Sequence, residues 1–216
     1  MWEHSAHRTE EHMKTNDERM QDILQHLKSI QHIKPETIPN IDLYMDQVTT
    51  FMDEHLKNNK RYPDDKVLTK TMINNYAKNN LLPAPSKKKY TREHILLLIF
   101  IYYFKNLLSF HDIEQLFRPI TDKHFNTPDD LPLEDIYKEI FSQEESELDR
   151  IKADIMDKYE NSKTVFTDKN LDPEDLEYLQ LFSLISGLSF DVYLKKQVIE
   201  KLIDDLKETG PGKKKK

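Results

Sequence analysis

The sequence predicts an all-α fold with at most a minimal β-wing. Two observations carry that expectation. Apolar residues recur at helical spacing in successive blocks, each bounded by a capping residue, a proline or an asparagine pair. Charged residues make up 33% of the 216 positions against 37% hydrophobic ones, the balance of a surface-rich helical protein. That length suffices for one ordinary domain or two small ones with a real core.

Residues 1–14 carry Trp2, His4, His7 and His12 without an apolar period and read as a flexible arm. Their spacings of three and five do not stack ligands on one helical face, so the histidines read as solvated. Thr15 and Glu18 form a capping box ahead of Met20, Ile23, Leu24, Leu27 and Ile30, which predicts a helix over 16–31. After Pro35 and Pro39, Asn40 or Asp42 caps a second helix that ends near Asn58, with Tyr44, Val48, Phe51, Met52 and His55 on one face. Residues 58–65 form a turn-rich loop in which asparagine takes the positive-φ positions.

Thr69 caps a third helix whose apolar face is Met72, Ile73 and Tyr76, and Asn79-Asn80 ends it through a left-handed residue. Pro83 to Tyr90, with Lys87-Lys88-Lys89, reads as a protruding loop. Thr91, His94 and Ile95 open an apolar helix to Leu108, and Ser109 caps a short one that stops before Pro119. Further helices are expected over 133–141 and 145–159, with Thr127 to Pro132 before them and a linker over 161–170. Asp172-Pro173-Glu174-Asp175 combines a capping carboxylate, a first-turn proline and acids at the positive end of the helix dipole. The block that follows carries Leu176, Leu179, Phe182, Ile185 and Leu188, then Leu194, Val198, Leu202 and Leu206, and Gly210-Pro211 stops it. These signals divide the chain into an arm and amphipathic helix (1–37), a central domain (38–120), an acidic helical region (121–169), a C-terminal block (170–209) and a basic tail (210–216).

Several function classes drop out. Without cysteine, thiolate metal sites, thiol nucleophiles and disulfide frameworks are excluded. Glycine occurs only at 187, 210 and 212, so no glycine-rich phosphate loop can be written. Neither G-x-S-x-G nor H-E-x-x-H is present, and no spacing pairs a nucleophile with a base, so no enzyme and no cofactor are expected. The most apolar run, Ile95 to Phe104, is half the ~20 residues needed to cross a bilayer and reads as a buried core helix. With no export signal, the expected location is the cytoplasm.

The net charge of −7 hides a lopsided distribution. Lys57 to Lys105 holds eleven lysines and arginines against Asp64, Asp65 and Glu93, a local charge of +8. Thr121 to Glu177 holds seven basic and eighteen acidic residues, a local −11. A polyanion should therefore meet one face only. Within the cationic block, Lys70, Thr71, Asn74, Asn75 and Lys78 lie on one short helix, and asparagine is a bidentate partner for adenine in the major groove. Lys87, Lys88, Lys89 and Arg92 would lie against phosphate, with Tyr76 and Tyr90 donating hydroxyls at the border. Tyr102, Tyr103 and Phe104 continue the apolar helix into the core. Met45, Met52, Met72 and Met156 read as fillers of core gaps.

Over Thr71 to Phe117 the sequence resembles the DNA-binding domain of MerR-type transcription regulators. The segment from Met72 through Tyr76 to Leu81-Leu82-Pro83 is similar to that family's second helix, Lys89-Tyr90-Thr91-Arg92-Glu93-His94-Ile95 to its wing and next helix, and Leu107-Leu108-Ser109-Phe110-His111-Asp112-Ile113 to its following turn. Together with Leu43-Tyr44-Met45-Asp46-Gln47-Val48, the stretch from Ile38 to Phe117 is similar to the bacterial family of domain of unknown function 1836, regarded as MerR-like. Asn74, Asn75 and Asn80 stand where the MerR pattern has an arginine, an aromatic residue and a glycine. The resemblance implies a winged helix-turn-helix followed by a C-terminal helical region, the part that binds the inducer in MerR regulators.

The expected function is that of a sequence-specific, double-stranded-DNA-binding transcription regulator, a repressor, acting as a homodimer. Leu179, Phe182, Ile185, Leu194, Val198 and Leu202 are the dimerising candidates, and a small-molecule or protein effector is the remaining partner. The alternative is a helical protein–protein adaptor that keeps the fold and grips an acidic partner.

Overall fold

A computed structural model describes residues 14–30, 32–126 and 131–209; the arm with Trp2, His4, His7 and His12, the 127–130 segment and the basic tail lie outside them. The described chain runs α1 (Asn16–Leu27), β1 (Leu43–Tyr44), α2 (Met45–His55), α3 (Lys70–Lys78), β2 (Lys89–Tyr90), α4 (Arg92–Phe104), α5 (Phe110–His124), α6 (Leu133–Phe141), α7 (Glu144–Ser162) and α8 (Pro173–Thr209). It is mostly helical, with two short strands. β1 and β2 pair antiparallel, Leu43 opposite Tyr90 and Tyr44 opposite Lys89.

Local chemistry fixes most helix starts. The Thr15 hydroxyl accepts from Glu18 N–H at 3.3 Å, and the Glu18 carboxylate accepts from Thr15 N–H at 2.9 Å. Thr69 and Ser109 accept from Met72 N–H and Asp112 N–H, each at 3.2 Å. The Asp172 carboxylate accepts from Glu174 N–H and Asp175 N–H, both at 3.0 Å, so α8 opens at Pro173. Each contact satisfies a first-turn donor that the helix itself leaves unpaired.

The main core is built around α4, which is buried without interruption from His94 to Ile101. Val48, Phe51 and Met52 of α2, Ile73 and Tyr76 of α3, Ile113 and Phe117 of α5, and Leu133 and Tyr137 of α6 close around it. A helix apolar on every side must be enclosed in this way. A smaller cluster joins Met20 of α1, Tyr159 of α7 and Leu184 of α8. α8 also reaches the main core, through Ile203.

Several boundaries differ from the sequence reading. α1 ends at Leu27 because Ser29 turns back, its N–H and hydroxyl donating to the His26 carbonyl at 2.8 and 2.7 Å. α2 starts at Met45 instead of after Asn40 or Asp42, with the Gln47 side chain accepting from Tyr44 N–H at 2.9 Å. Lys57–Asn59 form a 3-10 turn, and the left-handed residues are Asn80, Lys87, Lys88, Asn126 and Phe166, so neither Asn58 nor Asn59 is among them. α4 stops at Phe104, whose carbonyl accepts from Leu107 and Leu108 N–H, both at 2.9 Å. α5 runs through Pro119 to His124. Leu116 and Ile120 flank that proline and pack on the core, and their burial offsets a cost of about 3 kcal/mol for a proline inside a helix.

Candidate nucleic-acid interface

α3 is nine residues long and buries only one side. Ile73 and Tyr76 point into the core, which leaves Lys70, Thr71, Asn74, Asn75 and Lys78 exposed. The helix is closed at both ends. Thr69 caps its start, and at its end Asn80 adopts φ 58° so that Leu81 N–H reaches the Tyr76 carbonyl at 2.9 Å and Asn80 N–H reaches that of Ala77 at 3.4 Å. This is a Schellman closure with asparagine where glycine is usual, and buried Leu81 provides its apolar contact.

Beyond it, Ser86 to Lys89 form a tight hairpin turn in which Lys89 N–H donates to the Ser86 carbonyl at 2.8 Å. Lys87 and Lys88 have φ of 50° and 64°, the pair of positive values that marks a type I′ turn. Both side chains are exposed at its tip. The turn leads directly into β2, and each non-glycine residue in this conformation costs roughly 1–2 kcal/mol.

The helix and the turn meet one short junction. Lys70 at the start of α3 forms an ion pair with Asp46 in the first turn of α2. Two residues earlier, the Tyr44 ring lies under the Lys89 ammonium, 5.4 Å from its centroid. Lys70, Asp46, Tyr44 and Lys89 therefore form a continuous surface linking α3 to the basic turn. Sequence reasoning omitted Asp46 and Tyr44 from this surface. The acid in the first turn of a helix was visible, but its pairing with a lysine on the next helix depends on how the two pack.

Three expected contacts do not reach this surface. Tyr76 and Tyr90 are core residues, 1% and 3% exposed, and burial pushes both hydroxyls above the usual tyrosine range. Each sits on the inward side of its element, so neither can meet phosphate. Arg92 is half-buried: its guanidinium donates to the carbonyls of Ile38 (3.0 Å) and Pro35 (2.7 Å), and its Nε lies 2.7 Å from Glu134. It staples the approach to β1 onto α6.

His94 lies beneath the turn. Its Nδ1 accepts from Thr91 N–H at 3.0 Å, replacing the usual glutamate of a capping box, while its Nε2 is buried without a hydrogen-bond partner. Tyr90 and Phe125 meet the imidazole edge to face. Burial holds its pKa below the ordinary 6.5, against the opposing pull of the Pro83 and Ala84 carbonyls and Asp42.

A separate cleft of about 440 Å³ lies between residues 28–34 and the α6–α7 junction. Its side chains are largely committed to one another. His32 N–H donates to Glu144 at 2.7 Å, the imidazole Nδ1 pairs with the same carboxylate, and the ring stacks on Phe141 at 4.7 Å. Among the described residues no group of three or more His, Asp or Glu side chains is arranged to hold a metal, and no helix is long and apolar enough to cross a membrane.

The model of a family described as a domain of unknown function, DUF1836, matches residues 33–140. The chain belongs to the DUF1836 family. No curated protein and no solved structure matches it. The matched segment contains α3, the basic turn and the junction between them, whereas α1, α7 and α8 lie outside it. Its two ends are tied together, because the buried Tyr137 hydroxyl donates to the Ile33 carbonyl at 2.7 Å. The DUF1836 domain thus brings its own closure, and α8 lies across it through Ile199 and Ile203.

The dimerising candidates fall on two faces of α8. Phe182, Ile185, Leu194, Val198 and Leu202 are exposed, while Leu179 is half-buried. Phe182 and Ile185 share one side, and Leu194, Val198 and Leu202 lie on another, about 150–180° around the helix axis.

Proposed function

We propose that this DUF1836 protein is a sequence-specific, double-stranded-DNA-binding transcription regulator of MerR-like winged helix-turn-helix type. The observation that carries the reading is the shared surface of α3 and the Lys87–Lys88 turn. The helix exposes Lys70, Thr71, Asn74, Asn75 and Lys78, and the junction at Tyr44 and Asp46 links it to a two-lysine tip. A helix of this size enters a major groove about 12 Å wide, where Asn74 and Asn75 can pair with adenine while the lysines meet phosphate. The order strand, helix, helix, strand, helix supports the reading, as does the antiparallel pairing of β1 with β2. Two copies acting together supply the affinity that a small reading surface lacks alone, and repression follows from occupancy of the operator.

One observation favours the adaptor reading. Asp46 holds Lys70, placing an acid at the end of α3 that would approach phosphate. Electrophoretic mobility shift against duplexes selected from a random pool separates the two. The regulator reading requires specific binding that weakens with salt and is lost in Lys87→Ala/Lys88→Ala, with Asn74→Ala relaxing sequence preference. Failure to bind any duplex at low salt overturns it in favour of the adaptor.

A further inference from the structure

An acid stands on the surface proposed to meet DNA and neutralises part of its charge. Asp46, in the first turn of α2, pairs with Lys70, the first residue of α3, while 76% and 59% of the two side chains remain in solvent. Exposed pairs of this kind add little to stability, so the fold does not depend on the contact. A carboxylate in a first helical turn is favoured by the helix dipole alone, and that role needs no partner on α3. The pairing does something else. It sets Asp46 beside the end of α3 whose residues meet base edges in helix-turn-helix recognition. Lys70 and Asn74 are one helical turn apart, so Asp46 stands at the start of the row that carries Asn74. A helix with its side chains is about 10–12 Å across and the major groove about 12 Å wide. A group that touches the first turn of α3 is therefore carried to the base edges or to the lip of the groove.

Resting on the DNA reading, we propose that Asp46 determines specificity by exchanging partners on the operator. Its carboxylate leaves Lys70 and accepts from the exocyclic amino group of a cytosine next to the adenine read by Asn74, and the released Lys70 ammonium takes a phosphate. The chemistry of the groove selects that base. Cytosine presents its amino group there as a donor, whereas guanine and thymine present acceptors, which a carboxylate cannot use. Adenine sets its amino group beside the N7 acceptor, the pattern that an amide matches and a carboxylate does not. At other sequences Asp46 finds no donor, keeps Lys70 and opposes the phosphates with its own charge. One side chain thus favours the right site and disfavours the wrong ones, the two parts of any discrimination.

Fluorescence anisotropy tests the exchange on two duplexes, one selected from a random pool and one scrambled from it, each across a salt series. The wild type is expected to give a slope of about −3.6 per copy on the selected duplex, with four lysines on phosphate, and about −2.7 on the scrambled one, where Lys70 stays with Asp46. Asp46→Ala should bind the scrambled duplex more tightly, with the slope steepened to about −3.6, and the ratio of the two affinities should fall roughly tenfold. Lys70→Ala should flatten the slope on the selected duplex and leave it unchanged on the scrambled one. The position at which Asn74→Ala loses its preference locates the adenine. Replacing the cytosine beside it should weaken the wild type roughly tenfold and leave Asp46→Ala unaffected. Equal slopes of the wild type on the two duplexes, or an unchanged affinity ratio in Asp46→Ala, overturn the proposal while the DNA reading stands. A lower urea midpoint in Asp46→Ala with that ratio unchanged also overturns it and leaves the acid as a partner of the α2 dipole. Absence of binding to either duplex at low salt removes the DNA reading and the exchange together.

Discussion

Lys87 and Lys88 occupy adjacent left-handed positions that asparagine and glycine fill at lower cost. Under the DNA reading, the turn retains these lysines for their charge at the expense of stability. Lys87→Asn/Lys88→Gly is expected to raise the unfolding free energy by about 1–2 kcal/mol and to weaken duplex binding. Urea titration beside a mobility-shift titration reads both effects, and a variant that gains stability without losing affinity would remove the turn from the interface. His94 gives a second residue-scale prediction. Its folded-state pKa lies below the ordinary 6.5, so below that value the unfolded chain binds more protons than the folded one. Its contribution to stability is complete above about pH 6.5 and is lost as the pH falls. Protonation would also remove the Nδ1 acceptor that caps α4. The urea midpoint should therefore fall less between about pH 7.5 and pH 5.5 in His94→Gln than in the wild type, because glutamine accepts a hydrogen bond without titrating. Equal losses in both would exclude this residue as the source.

At the scale of elements, one buried hydrogen bond closes the DUF1836 segment beside the Arg92 staple between residues 35–38 and α6. Tyr137→Phe removes the hydroxyl and strands the Ile33 carbonyl, an expected loss of about 1–3 kcal/mol read as a lower urea midpoint. Native-state hydrogen exchange should accelerate first around residues 33–38 and in α6. Uniform acceleration would mean that this contact does not hold the ends together. Such long-range pairs were hidden from sequence reasoning, which read local signals well. Thr15, Thr69, Ser109 and Asp172 cap the helices they precede because a capping contact spans only two or three residues. The failures lie where packing overrides a local rule. Pro119 remains inside α5 because Phe117 is buried and Leu116 and Ile120 pack on the core around it, and Tyr76 and Tyr90 turn inward because their elements have only one face to give the core. The polar face of α3 was legible from its spacing, whereas Asp46 became part of the surface only once α2 and α3 packed together.

For the molecule as a whole, the decisive quantity is where charge lies. The net charge is −7, yet the block from Lys57 to Lys105 carries +8. Packing also spends part of that block: Lys60 bridges Asp53 at 2.8 Å, Arg92 bridges Glu134 at 2.7 Å, and Lys105 donates to the Val67 carbonyl at 2.9 Å. The fully exposed cations that remain on the α3 and turn surface are Lys70, Lys78, Lys87 and Lys88, the first of them shared with Asp46, while Lys89 is half-buried with its ammonium over the Tyr44 ring. If each neutralises one phosphate, the slope of log affinity against log salt is about −3.6 per bound copy, at roughly 0.9 for each contact on duplex DNA. Two copies on one site would double it, to about −7. Lys87→Ala/Lys88→Ala should flatten the slope by about 1.8 per copy, and Lys105→Ala should leave it unchanged because that ammonium is committed to the fold. Burial lowers the Lys105 pKa, as expected of an ammonium drawn out of water. Duplex titrations across a salt series check each value. A slope governed by net charge instead of this surface would be near zero or positive, and would mean that the anionic body, and not the helix and its turn, dictates what the molecule meets.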